Sequence, residues 1–157
     1  MKKILILFFI TFIIFPVFST AEEIDITADH FHAEDLTKVA YFEGNAHIQQ
    51  GQNSFSASQV IVHFNKKKKA TRYEANGGVM FDLIENGIHY RGKAGKIEYS
   101  PNSSMYYFSG DVVLEDLTNN RKISASVISL DLNTGLADIK GSDTQPVHFR
   151  FEIEDRQ

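Results

Sequence analysis

The stretch Asp29-His30-Phe31-His32-Ala33-Glu34 carries the densest set of reactive side chains in the sequence. A His-x-His spacing puts both imidazoles on one face of a strand, an arrangement that can bind zinc when further ligands join it. Phe31 takes the opposite face. The same spacing also describes two histidines facing solvent beside Asp29 and Glu34, and the chain has no cysteine to complete a thiolate site. No metal and no cofactor is expected. The second concentration of charge is Lys66-Lys67-Lys68-Lys69. Such a run is usually a solvated turn, although its ammonium groups could meet anionic sugar phosphates as point charges. No Ser-His-Asp arrangement, glycine-rich phosphate loop or close carboxylate pair stands out, so the chain reads as non-enzymatic. A formal charge of −4 over 157 residues gives no whole-chain case for nucleic acid.

The elements that position these residues begin after an export signal. Lys2 and Lys3 form a basic start, Ile4 to Phe18 is almost wholly apolar, and Ser19-Thr20-Ala21 supplies the small residues that a signal peptidase reads. The apolar run is shorter than the roughly 20 residues of a spanning helix. Residues 1–21 are therefore expected to be removed, leaving one domain over residues 22–157. An uncleaved anchor is the competing reading.

In the mature chain no segment keeps apolar residues at i, i+3, i+4 and i+7 over successive turns, so no helix is expected. Alternation of period two runs throughout instead. It is cleanest in Val147-His148-Phe149-Arg150-Phe151-Glu152-Ile153-Glu154. Turn signals cut it at Glu34-Asp35, Gln50-Gly51-Gln52-Asn53, Asn65 to Lys69, Asn86-Gly87, Ser100-Pro101-Asn102, Asn119-Asn120 and Asn133-Thr134-Gly135. Asn-Gly is the strongest, because both residues accept positive φ in a tight hairpin. The expected architecture is all-β, a meander of stacked antiparallel strands.

The chain also repeats itself. FEGNAHI, ANGGVMF and FSGDVVL place Gly44, Gly77 and Gly110 at intervals of 33 residues. Ala28, Ala57, Ala94 and Ala125 each lead to one glycine, Gly44, Gly77, Gly110 and Gly141, after 16, 20, 16 and 16 residues. The longer interval contains the lysine run. Around each glycine the apolar residues fall on one parity: Phe42, Ala46 and Ile48; Ala75, Val79 and Phe81; Phe108, Val112 and Leu114. Around the alanines, Phe55 lies an even step before, whereas Val60 and Val62, Ile97 and Tyr99, and Ile128 and Leu130 lie odd steps after. A straight strand cannot keep both sets on one face, so a bulge or corner at each small residue is required. Stacked bends of this kind are expected to form two creases, with apolar faces opposed across a slot. That interior is either plain core packing or a ligand groove.

The export signal followed by EEIDITAD, with strands punctuated by FEGNAHI and FSGDVVL, resembles the OstA-like family of lipopolysaccharide-transport proteins from Glu22 to about Ile153. The resemblance implies an open-ended twisted β-jellyroll with a hydrophobic groove. It implies a periplasmic carrier or bridge for the lipid A part of lipopolysaccharide. Such a carrier docks edge to edge with an inner-membrane anchored LptC-like protein and an outer-membrane LptD-like translocon, and can self-associate end to end. Ile24 and Ile26 match the family's first strand, whose inward residues meet lipid near the entrance, and Phe81 matches an inward aromatic in the groove. Parity assigns the rest of the groove: Phe31, Phe42, Ile48, Phe55, Val60, Val62, Phe64, Val79, Leu83, Tyr99, Phe108, Val112 and Leu114. An interior wider than packing needs would hold the acyl chains. The strands at Ile24 to His30 and Val147 to Ile153 are expected to be the outermost rungs. Val147, Phe149, Phe151 and Ile153 would continue the groove into a partner, and His148, Arg150, Glu152 and Glu154 would face outward. Competing readings are a membrane-anchored relative of the same pathway and a structural β-solenoid filament without lipid cargo.

Overall fold

The computed structural model describes residues 23–153; the expected export signal over residues 1–21 and Glu154 lie outside them. These residues form β1 (Ile24–Thr27), β2 (His30–Glu34), β3 (Val39–Gln50), β4 (Asn53–Phe64), β5 (Ala70–Glu85), β6 (Ile88–Ser100), β7 (Met105–Asp116), β8 (Arg121–Asp131), β9 (Ala137–Lys140) and β10 (His148–Phe151), with no helix. All belong to one 10-stranded antiparallel sheet ordered β1-β3-β4-β5-β6-β7-β8-β10, with β2 beside β3 and β9 beside β8. β1 and β10 do not pair, so the sheet is open at both ends.

The connections follow their turn residues. Asn86 and Gly87 take φ of 51° and 75°, the positive pair that a two-residue hairpin requires, and Glu85 faces Ile88 across it. The lysine turn is held by Asn65, whose carboxamide oxygen accepts from the Lys67 and Lys69 amides at 2.9 and 3.1 Å.

Each inner strand breaks register near its middle. The breaks fall between Glu43 and Ala46, Ser56 and Gln59, Asn76 and Val79, Lys93 and Lys96, and Ser109 and Val112. They lie level with one another on neighbouring strands, so they form a single crease in place of the two expected. The glycine of one strand and the alanine of the next are the two sides of the same bulge. Gly44, Gly77 and Gly110 take φ of 81°, 81° and 80°, and the residues after them, Asn45, Gly78 and Asp111, take 45°, 60° and 48°. Consecutive left-handed residues admit glycine, asparagine and aspartate most readily. That is why the repeated phrase reads Gly-Asn, Gly-Gly and Gly-Asp.

The crease folds the sheet onto itself. Phe81 on β5 meets Phe108 on β7 with ring centroids 5.0 Å apart, and Phe55 on β4 meets Tyr106 on β7 at 6.2 Å. Neither pair neighbours within the sheet, so both contacts span the slot between its two halves. Val60, Val79, Phe108, Val112 and Ile128 are almost wholly buried there.

Each outermost rung is two short strands rather than one long one. The Asp29 amide donates to the Gly44 carbonyl at 2.8 Å in the crease, so β1 ends at Thr27 and His30 opens β2. At the other end β10 covers His148–Phe151, shorter than the expected span. Phe151 opposes Arg121, the first residue of β8, so Glu152 and Ile153 have no rung beside them. Val147 lies level with the crease.

Candidate functional site

Residues directly opposite one another on adjacent strands share a face, so the register defines rows that cross the whole sheet. One inner row runs Ile26, Ile48, Phe55, Phe81, Gly92, Leu114, Ile123 and Phe149. Beyond the crease a second runs Phe31, Phe42, Val60, Ala75, Ile97, Phe108, Ile128 and Ile139. A third runs Ala33, Ala40, Val62, Tyr73, Tyr99, Tyr106, Leu130 and Ala137. Each reaches from one open edge to the other without a charged residue.

The residues assigned by parity or by the resemblance fall in these rows or beside them on the same face. Ile48, Phe55, Val60, Val62, Val79, Phe81, Leu83, Phe108, Val112 and Leu114 are buried, and Ile24, Ile26, Phe42, Phe64 and Tyr99 are half-buried against them. Phe31 departs from the set: it is 56% exposed. It keeps the inner parity and packs its ring on Phe42 at 4.9 Å, but β2 is an end rung with nothing beyond it. Val147, Phe149, Phe151 and Ile153 are exposed as well. Phe149 ends the first inner row opposite Ile123, its ring 5.3 Å from that of Phe151, whereas Val147 and Ile153 stand outside the strand.

Several lining residues escaped the sequence reading. Tyr106 stacks on Tyr99 at 4.4 Å and on Phe108 at 5.9 Å; its shared parity with Phe108 was the available signal. Tyr73 belongs to the same rows; Ile97 and Ile128, which alternation after the alanines had put on the inner parity, do too. Gly92 is the less obvious case. A Cβ there would lie 2.8 Å from Phe81 Cζ and 1.9 Å from the Val113 carbonyl oxygen. The Val113 backbone and the Phe81 ring together leave no room for a side chain at residue 92, and an isolated glycine in an alternating strand is the sign of such close approach.

The slot is tight. The cavity between its halves, bordered by Ile24, Ile48, Phe55, Ile97, Tyr99 and Tyr106, amounts to about 30 Å³, roughly one water's share of liquid volume. The interior is filled by its own side chains rather than wider than packing needs.

Polar groups on the inner face gather at one margin, in the row Leu83, Tyr90, Asp116, Arg121 and Phe151. Asp116 is buried and accepts from the Asn119 amide and side chain at 2.9 Å each and from Arg121 Nε at 3.0 Å. Burial raises its pKa, but these donors and the Arg121 charge outweigh burial and hold the carboxyl below the usual range. Burial and the Asp116 charge raise the Tyr90 hydroxyl. The outer face carries two ion clusters. Glu74 lies 2.9 Å from His63, 3.6 Å from Arg72 and 3.5 Å from Lys96; Asp82 lies 2.6 Å from His89 and 3.3 Å from Arg91. These tie β4, β5 and β6 together from outside. His30 and His32 are exposed, with rings 5.6 Å apart, and His32 stacks on Tyr41 at 4.7 Å. Among the described residues no group of three or more His, Cys, Asp or Glu is gathered to hold a metal ion.

A family model described as LptA/(LptD N-terminal domain) LPS transport protein matches residues 25–136, from β1 through β8. No curated protein matches the chain in sequence. Among solved structures the chain is similar to LptH from Pseudomonas aeruginosa, described as the LptA homologous periplasmic component of the conserved lipopolysaccharide transport device. The TM-score is 0.72 at 12% identity, over 84% of this chain and 96% of that one. At that identity the likeness is one of fold. The creased open sheet and the extent of the family match agree, and the chain belongs to the LptA/LptD N-terminal domain family of lipopolysaccharide-transport proteins.

Proposed function

We propose that the chain is a periplasmic lipopolysaccharide carrier and bridge. It holds the acyl chains of lipid A against the inner rows and passes them along the sheet from one open edge to the other. The observation that carries this reading is the continuity of those rows, which end at Phe31 and Ile26 on one edge and at Ile139 and Phe149 on the other. An unpaired strand at each edge offers free backbone N–H and C=O groups to another sheet. The partners are an inner-membrane anchored LptC-like protein at one edge and an outer-membrane LptD-like translocon at the other, with a second copy of the chain able to intervene. The description of LptH as a periplasmic component supports the location. Because the slot is nearly full, loading parts its halves about the crease, and each methylene buried in place of water is worth about 0.8 kcal/mol. The role is transport rather than catalysis.

A photo-crosslinking residue placed at Ile26, Phe81 or Leu114 should capture lipopolysaccharide in cells, and one at Asp25, Asp82 or Glu115 should not. Each polar position adjoins an apolar one in sequence, so local mobility cannot account for the difference. Equal labelling of the two sets would remove the sided groove.

A further inference from the structure

The lysine turn stands beside an apolar pocket. The turns β2–β3 and β4–β5 are neighbours, joined where the Phe64 amide donates to the Lys38 carbonyl at 2.9 Å. Between them lies a pocket of about 290 Å³ with Ala33, Ala40 and Phe64 in its walls and Lys38 and Lys68 at its rim. Ala33 and Ala40 are the first members of the third inner row, and Phe64 packs against the core. The pocket thus lies on the inner side of the sheet, at the β2 edge.

Among the described residues Lys38, Lys66, Lys67, Lys68 and Lys69 make no ion pair, whereas Lys96, Lys122 and Lys140 each have a carboxylate within 4.0 Å. Glu34 and Asp35 also border the pocket. Glu34 is engaged by the Thr37 hydroxyl at 2.9 Å, and the ammonium groups outnumber these two carboxylates. The turn backbone is fixed by Asn65 rather than by any lysine side chain. Unpaired cations on a fixed turn, beside an apolar recess on the inner side of the sheet, match an amphiphile whose anionic group sits next to its acyl chains.

We propose that Lys38 and Lys66–Lys69 form a headgroup site for the sugar phosphates of the acylated lipid, holding the saccharide outside while the acyl chains enter beside Phe64. This rests on the carrier reading and adds which part of the cargo lies where. Exposed ammonium groups act additively and are screened by salt, so the site favours phosphorylated cargo most at low ionic strength.

The test measures binding of fluorescent bisphosphorylated lipid A and of its dephosphorylated form to the full chain and to a variant with all five lysines changed to glutamine. The wild-type chain is expected to prefer the phosphorylated form by about tenfold at low salt, the product of two exposed contacts, one to each phosphate, each worth about threefold. The variant should bind both forms alike, at the affinity of the dephosphorylated one, and inorganic phosphate at millimolar concentration should not abolish the wild-type preference. A variant that retains the preference, or a wild-type chain without one, overturns the headgroup site while leaving the groove. Competition by inorganic phosphate alone makes the turn a free-anion site and overturns it too. Failure of both lipids to bind the wild-type chain overturns the carrier reading, and this site with it. Circular dichroism checks that the variant is folded.

Discussion

At the scale of single residues, the inner face tolerates one buried charge, and its surroundings explain how. Asp116 sits in the row at the slot margin where polar groups gather, and each carboxylate oxygen has a donor from Asn119 or Arg121. Its folded pKa is depressed, so ionised Asp116 stabilises the fold fully above the ordinary carboxylate value of about 4. That stabilisation is lost as pH falls through the lower folded value. Asp116→Asn should therefore cost roughly 1–3 kcal/mol at neutral pH, the range for a charge-assisted hydrogen bond. Its deficit relative to wild type should shrink in acid. Glu74 and Asp82 are depressed as well, so both proteins lose stability on acidification, and only the difference belongs to Asp116. Urea unfolding at neutral and acid pH reads that difference. A deficit that stays constant with pH would show that packing, not charge, explains the loss.

At the scale of elements, the crease decides whether a flat meander becomes a slot. Gly110 combines a φ of 80° with a Cβ position 3.1 Å from the Gly95 Cα, so Gly110→Ala meets both backbone strain and a backbone contact. A loss of roughly 1–3 kcal/mol is expected. Gly51→Ala, at a hairpin tip with open space around it, should cost less, and Asp111→Gly should be neutral or stabilising because it relieves a left-handed aspartate. Thermal unfolding of the three variants tests this order; equal losses at residues 51 and 110 would show that the bulge carries no special constraint. The bend was legible in the sequence because the parity of Phe55 and Val60 conflicts across Ala57. Its number was not: parity says that each strand turns, but only the register shows that the turn at Gly44 and the turn at Ala57 are one bulge. The inner-face positions were legible for the same reason, since burial follows alternation. Phe31 misled because end position, not parity, sets exposure. Gly92 was missed because its role lies in what Phe81 does, and the tightness of the slot depends on side chains from opposite halves whose meeting no local pattern encodes.

At the scale of the whole molecule, the outer rows show how one copy could meet the next. The outer row above the first inner one reads Asp25, Gln49, Ser54, Asp82, Arg91, Glu115, Lys122 and Arg150. Signs alternate from Asp82 to Lys122 and then fail at the edge, where Arg150 stands opposite Lys122. Like charges directly opposite are unfavourable, and neither Arg150 nor Asp25 belongs to an ion pair among the described residues. Suppose the β1 edge of a second copy adds to β10 so that the inner rows remain continuous, Phe149 beside Ile26 and Phe151 beside Ile24. Antiparallel pairing then places Arg150 opposite Asp25 and restores the alternation. Any shift by one residue would turn the apolar rows outward. Arg150→Glu and Asp25→Arg should each weaken end-to-end association by about threefold to tenfold at low salt, the scale of an exposed pair exchanged for a repulsion. The chain carrying both substitutions should recover most of the loss, because its swapped charges face each other again. Sedimentation across a concentration series gives the association constants. A double variant no better than the single ones would refute this register. Association unaffected by either charge but abolished by removing Val147 to Gln157 would place the joint on β10 with a different partner strand.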